Sequence, residues 1–214
     1  MSSGTWFWLL VCGMVLFLLR VLMVSVQGAK PRTARIRLMC VLGSGGHTTE
    51  MIRLLRQVDK ARFTPRSYVA ARDDPMSVSK IRSFEGLEDM KVHLVTRARH
   101  VGQPYYTALF TSLWCCMESV VVVWREKPAM LLVNGPGTCV PVVLACWVFR
   151  TLGFFRCRIV YVESFCRVRS LSLSARMLMP FVDRVMTLWK TTVPDAPSRA
   201  SQPSAKVQYI GPVL

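Results

Sequence analysis

A chain of 214 residues is long enough for one domain of ordinary size and too short for two full ones. It carries 28 Lys+Arg against 12 Asp+Glu, a formal net charge of +16, while 52% of its residues are hydrophobic. That apolar content excludes intrinsic disorder, and the charge points to an anionic partner: nucleic acid, a membrane surface or a phosphorylated substrate. Chemistry that needs two full domains facing each other exceeds one copy of this chain.

Residues 1–5 precede an apolar segment, Trp6 to Val26, interrupted by Arg20 and Ser25. As a helix it would span roughly 31 Å at about 1.5 Å per residue, the thickness of a bilayer core. Arg20 lies near one end, where its stem can snorkel to headgroups, and Trp6 and Trp8 lie at the other, interfacial end. Residues 6–26 therefore read as a transmembrane anchor and residues 27–35 as a basic stalk. Lys30, Arg32, Arg35 and Arg37 follow the span and no Lys or Arg precedes it, so the short N-terminus is expected in the lumen or exterior and the domain, residues 36–214, in the cytosol. A cleaved secretory signal ending near Gly28 or Ala29 is the competing reading. The missing basic n-region and the basic flank after the span both argue against it.

Past the stalk, Ile36 to Leu42 reads as a strand ending in glycines, and Thr48 to Val58 has helical spacing. Ser67 to Ala71 is a second strand, Ser77 to Phe84 a helix, and Lys91 to Val95 a third strand ending in Arg97, Arg99 and His100. Pro104 opens a long apolar helix to about Trp124, with Glu118 its only charge. It reads as a helix that covers the sheet and rests part of its surface on the membrane, in preference to a second span. Met130 to Val133, Arg158 to Val162, Arg184 to Trp189 and Val207 to Ile210 complete the strands. Helices to about Leu152 and over Leu171 to about Phe181 separate them, and Thr191 to Ala205 is a Pro- and Ser-rich loop. Alternating strands and helices predict a single α/β domain with a doubly wound, Rossmann-like parallel sheet. Functional residues then belong beyond the carboxyl ends of the strands.

Three motifs fall there. Gly43-Ser44-Gly45-Gly46-His47-Thr48-Thr49-Glu50 joins a strand to a helix, where bare N–H groups and the helix start favour an anion such as a diphosphate. It is neither the dinucleotide fingerprint nor a Walker loop. His47 can serve as a general base, touch a phosphate or simply cap the helix. Asn134-Gly135-Pro136-Gly137-Thr138 repeats the strand, glycine turn and helix arrangement. Glu163 and Ser164 end the fifth strand, ahead of Arg167 and Arg169. Glu163 either holds sugar hydroxyls and accepts a proton, or is a solvated acid paired with Arg167. The eight cysteines form no Cys-x-x-Cys and have no His at metal spacing, so they read as reduced, buried small hydrophobes with no metal site. No basic helix, aromatic RNP-like strand or zinc pattern supports a nucleic-acid partner, and anionic headgroups explain the charge more economically.

The runs Val41 to Met51, Val133 to Pro141 and Tyr161 to Val168, in that order behind an apolar N-terminus, resemble the asparagine-linked glycosylation protein fourteen family. Its members are membrane-anchor subunits of the enzyme that adds the second N-acetylglucosamine to dolichyl-diphosphate-N-acetylglucosamine. The family is similar in turn to the N-terminal half of the MurG glycosyltransferases, which have the two-domain GT-B fold. The resemblance implies an endoplasmic-reticulum subunit that binds the dolichyl-diphosphate-sugar acceptor. It implies too that a separate cytosolic UDP-N-acetylglucosamine-binding subunit completes the cleft, and that neither metal nor other cofactor is held by this chain. His47 is then the base or acceptor orienter, with Glu163 the competing candidate. Gly43, Ser44, Gly45, Gly46, Thr48, Asn134, Gly135, Gly137, Thr138 and Arg167 line the acceptor site. Ile210, Gly211, Pro212, Val213 and Leu214 are the implied partner-docking end. The contrasting expectations are a pure membrane scaffold for the catalytic subunit, and a membrane-bound basic protein that recruits nucleic acid or lipid.

Overall fold

The computed structural model describes residues 6, 8, 11–15, 18–19, 35–86, 90–98, 103, 105–135, 137–190 and 206–211. Seven strands form one sheet: β1 (Leu38–Val41), β2 (Arg66–Ala71), β3 (Lys91–Val95), β4 (Met130–Asn134), β5 (Arg158–Val162), β6 (Arg184–Thr187) and β7 (Val207–Tyr209). Their spatial order is β3-β2-β1-β4-β5-β6-β7, and every neighbouring pair is parallel. The helices are α1 (Gly46–Arg56), α2 (Pro75–Glu85), α3 (Tyr105–Glu126), α4 (Cys139–Leu152) and α5 (Leu173–Leu178).

Strand alternation sorts the core into two layers. Met39, Val41, Leu131, Val133, Ile159 and Tyr161 point to one face, where they pack with residues of α3, α4 and α5. Leu38, Cys40, Leu132, Val160 and Val162 point to the other, against Met51 and Leu55 of α1 and Ile81 of α2. Central strands buried on both faces explain why β1, β4 and β5 read as unbroken apolar runs. The edge strand β3 has exposed residues instead.

From β1 the chain winds outward to β2 and β3, then crosses back along α3 to β4 and winds outward the other way. The strand order therefore reverses between β1 and β4, and that crevice is where ligands of open α/β sheets bind. Register puts Val41 of β1 beside Val133 of β4, so their following loops start level.

Helix ends are locally coded. Asp74 caps α2 by accepting the Ser77 N–H at 3.1 Å, with Pro75 in the first turn. Gly153, left-handed at φ 84°, ends α4. The helix expected over Leu171 to Phe181 shrinks to α5, because the Ser172 hydroxyl starts it by capping Ala175 N–H and Pro180 can donate no helical hydrogen bond.

The Trp6 to Val26 segment lies largely outside the described residues, and the residues of it that are described are helical. No helix among the described residues is long and apolar enough to cross a membrane. Helix α3 covers the sheet, with Cys115 and Val123 fully buried, and Glu118 accepts from Arg72 Nη2 at 3.0 Å, from Trp114 Nε1 at 3.2 Å and from the Thr96 N–H. Five of the eight cysteines are buried and all are free thiols; burial pushes the Cys139 thiol up to about 12.

Candidate functional site

The loops after β1, β4 and β5 converge at the reversal point. In the first, Gly45 adopts φ 66° as the N-cap of α1, a conformation that strains any residue with a Cβ. No heavy atom would lie within 4 Å of a Cβ at Gly45 or Gly46, so the loop top is open, and no side chain caps this helix start. Gly43 is buried beneath it and Ser44 half-buried. Thr48 does not face the crevice. It is fully buried, its hydroxyl donating to the Gly43 carbonyl and sitting 2.8 Å from Ser77 Oγ. Expected to line the acceptor site, Thr48 is instead a peg under the loop, because the helix turns its side chain toward α2.

His47 projects from the first turn of α1 across to β4. Its Nδ1 lies 2.9 Å from Asn134 Oδ1 and 3.5 Å from Glu50 Oε2. Asn134, only 1% exposed, donates its Nδ2–H to Glu50 Oε2 at 2.9 Å. Glu50 Oε1 accepts from Ser164 Oγ at 2.9 Å and from the Phe165 N–H at 3.2 Å. One carboxylate on α1 thus fastens the loops after β4 and β5. A side chain three residues before it on the same helical face supplies the imidazole.

Gly135 is buried at φ 107°, directly against that imidazole. Thr138 is buried at the N-cap of α4, with no capping bond from its side chain, and Gly137 is exposed on the loop.

Glu163 lies under the β5 loop. At 1% exposure it is not a solvated acid: Oε1 accepts the Ser164 N–H at 3.1 Å and Oε2 the Ser172 N–H at 2.8 Å. Tyr161 Oη lies 3.1 Å from Ser172 Oγ and 3.5 Å from the Gly135 carbonyl. Arg167 is exposed, its N–H donating to the Ser164 carbonyl at 2.9 Å. At the far sheet edge, the Ile210 N–H donates to Thr187 O at 3.0 Å and Gly211 adopts φ 82°. Pro136, Pro212, Val213, Leu214, Arg99, His100 and the Thr191 to Ala205 loop lie outside the described residues.

The hydrogen bond with Glu50 holds the His47 imidazole above its ordinary pKa, against the pull of burial, with help from Asn134 and the charge of Glu163. Burial works to raise the Glu50 carboxyl, but hydrogen bonds from His47, Asn134 and Ser164 outweigh it and hold Glu50 below the usual carboxylate range. Among the described residues no three His, Cys, Asp or Glu side chains converge as metal ligands would. The arrangement is a proton-accepting imidazole beside an open, glycine-rich helix start. Glu50 is the residue that motif reading missed. The signal was its i,i+3 spacing from His47, inside a run already singled out for its glycines.

A parallel sheet of this order, with loops meeting at its reversal point, resembles the Rossmann-type N-terminal half of the GT-B fold. MurG of Acinetobacter baumannii has this fold, with a TM-score of 0.57 at 14% identity over 81% of this chain and 45% of that one. UDP-GlcNAc 2-epimerase from Neisseria meningitidis, bound to UDP-GlcNAc, matches at a TM-score of 0.58 and 15% identity over 83% and 47%. The chain thus spans about half the length of these solved structures. Residues 38–202 match the family described as "Oligosaccharide biosynthesis protein Alg14 like", and the chain belongs to that family. It is 41% identical over 194 residues to the UDP-N-acetylglucosamine transferase subunit alg14 of Schizosaccharomyces pombe, covering 87% of this chain and 88% of that one. The mouse subunit ALG14 is 42% identical over 167 residues, 73% of this chain and 76% of the relative.

Proposed function

We propose that this chain is the membrane-bound, acceptor-binding subunit of a UDP-N-acetylglucosamine transferase. In this reading it takes a dolichyl-diphosphate-N-acetylglucosamine acceptor and works with a cytosolic subunit that binds UDP-N-acetylglucosamine. The carrying observation is that His47 and the open Gly45–Gly46 helix start stand together at the β1–β4 reversal. Its curated relatives support it too, since they are named as transferase subunits.

The chemistry is an inverting transfer. The acceptor 4-hydroxyl attacks the anomeric carbon of the donor sugar, the new C–O bond forms, and the bond to the UDP oxygen breaks with its electron pair. The hydroxyl proton passes to His47 Nε2, the ring nitrogen that does not face Asn134 Oδ1. Backbone N–H groups at Gly45 and Gly46 and the α1 dipole hold the acceptor diphosphate. Gly43 and Ser44 shape that loop, Gly137 and Arg167 border the crevice, and Glu163 fixes the β5 loop without entering the reaction.

Membrane attachment is assigned to Trp6 to Val26, with the domain on the cytosolic side of the endoplasmic reticulum. A second contact is supported by α3, where Phe110, Leu113, Trp114, Met117, Val121 and Trp124 stand exposed at three- and four-residue spacing. Lys127 Nζ lies 4.8 Å over the Trp124 ring, an aromatic and cationic pairing suited to headgroups. Partner docking is assigned to the β7 end. There half-exposed Ile210 borders an apolar hollow of about 300 Å³ lined by Leu54, Val58, Phe63 and Met130.

Reconstitution of the full chain with a UDP-N-acetylglucosamine-binding subunit and a short-chain lipid-diphosphate sugar tests the reading. Transfer that requires both chains is expected. A glycine-loop variant that recruits the partner and still turns acceptor over normally would instead make this chain a pure scaffold.

A further inference from the structure

We propose that Glu50 is the positioning residue of this site, setting the tautomer of His47 through the Asn134 amide while pinning the Ser164–Phe165 turn to α1. The role of His47 as base rests on the reading above; the role of Glu50 rests on geometry. An amide has one end that only donates and one that only accepts. With Nδ2 of Asn134 on Glu50 Oε2 at 2.9 Å, Oδ1 is the end presented to His47 Nδ1, also at 2.9 Å. Nδ1 must then carry the hydrogen, and Nε2 keeps the lone pair. A reversed amide would set its oxygen against the carboxylate and its NH₂ against the imidazole, so the carboxylate decides which way the relay runs.

The other oxygen serves the neighbouring loop. Oε1 accepts from Ser164 Oγ and from the Phe165 N–H. Among the described residues every hydrogen-bond partner of Glu50 is therefore a donor, and none is Lys or Arg. Among those residues its negative charge is answered by the positive charge that appears when His47 takes a proton. A carboxylate so placed stabilises the imidazolium at the moment of transfer. Glutamine has the same shape but must direct an NH₂ at one set of donors, so Glu50→Gln is not a conservative change. Among the described residues the charged groups facing His47 are Glu50 on its own helix and Glu163 from the end of β5, which contacts backbone amides and not the imidazole.

The test uses the full chain in lipid nanodiscs with its partner subunit and ¹⁵N-labelled histidine. The chain has 3 histidines, so His47 is assigned by its loss in His47→Ala. In the wild type His47 is expected as the Nδ1–H tautomer. Glu50→Gln is expected to mix the tautomers, lower the pH at which His47 titrates, and reduce kcat by about 10²- to 10⁴-fold with KM little changed. Glu50→Ala, which removes both the carboxylate beside Nδ1 and the acceptor that orients the Asn134 amide, is expected to mix the tautomers in the same way. Ser164→Ala, which touches only Oε1, should leave the tautomer intact. An unaltered Nδ1–H tautomer in folded Glu50→Gln, or in Glu50→Ala if the first variant does not fold, overturns the proposal. If His47→Ala turns over normally, the base assignment fails, and the tautomer measurement still decides the role of Glu50.

Discussion

A Cβ on Gly135 would sit 2.8 Å from His47 Cγ and 2.9 Å from Nδ1. The imidazole rests on bare backbone that also holds φ 107°, so the position is closed to a side chain both by contact and by conformation. Gly135→Ala is therefore expected to displace His47 and to cost about 1–3 kcal/mol of stability. Thermal denaturation and transfer assays on the same preparation check this, and a variant with unchanged melting and turnover would contradict it.

Glu163→Gln separates a buried fastening from a catalytic acid. The variant keeps one acceptor oxygen and loses the other, leaving Ser164 or Ser172 N–H poorly paired. It is expected to destabilise the fold by about 1–3 kcal/mol while kcat stays within about tenfold of wild type. A loss of kcat as deep as that of His47→Ala, without loss of stability, would make Glu163 the base.

Thr48→Val keeps shape and β-branching but removes the hydroxyl from the Gly43 carbonyl and from Ser77 Oγ, which retains Asp74 Oδ2 at 2.6 Å and the Gly43 carbonyl at 3.3 Å. The expected cost is about 0.5–1.5 kcal/mol, read as a lower melting temperature, with KM for the acceptor rising as the glycine loop loosens.

The pH dependence follows from the two shifted groups. His47 is held above its ordinary pKa, so its pairing contributes stability fully below the unfolded value and loses it as pH rises through the folded value. Glu50 is held below its ordinary value, so its contribution is present above the unfolded pKa and lost as pH falls through the folded one. Both pairings coexist between the two titrations. As a base, His47 must be unprotonated, so the acid limb of kcat/KM should follow its raised pKa. In Glu50→Gln that limb should move to lower pH; an unmoved limb in an active variant would detach His47 from the rate.

The exposed face of α3 makes a separate prediction. Replacing Phe110 and Met117 by Glu should weaken flotation of residues 35–214 with anionic vesicles by tenfold or more, since each buried large side chain is worth about 1.5–3 kcal/mol. Equal flotation of variant and wild type would leave that face to a protein partner.

Much of this was legible in the sequence because it is local. Lys91–Val95 and Arg158–Val162 could be bounded from apolar pattern alone, and both glycine turns announced themselves at strand ends. What was not legible depends on separation along the chain. Glu50 meets Asn134 and Ser164 across 84 and 114 positions, and no local pattern marks such partners. Glu163 reads as a surface acid at a strand end, yet the turn to Ser172 folds over it and supplies the backbone donors that make burial tolerable. Thr48 sits in a ligand-like motif, but the first turn of α1 carries it to the opposite side from the loop top.

The most direct measurement is transfer of N-acetylglucosamine to a short-chain lipid-diphosphate acceptor by the reconstituted two-subunit complex carrying His47→Ala. Turnover lower by about 10²-fold or more, with partner recruitment and acceptor binding retained, is the expected result. Wild-type turnover from that complex would contradict the assignment of His47 and return this crevice to a binding role alone.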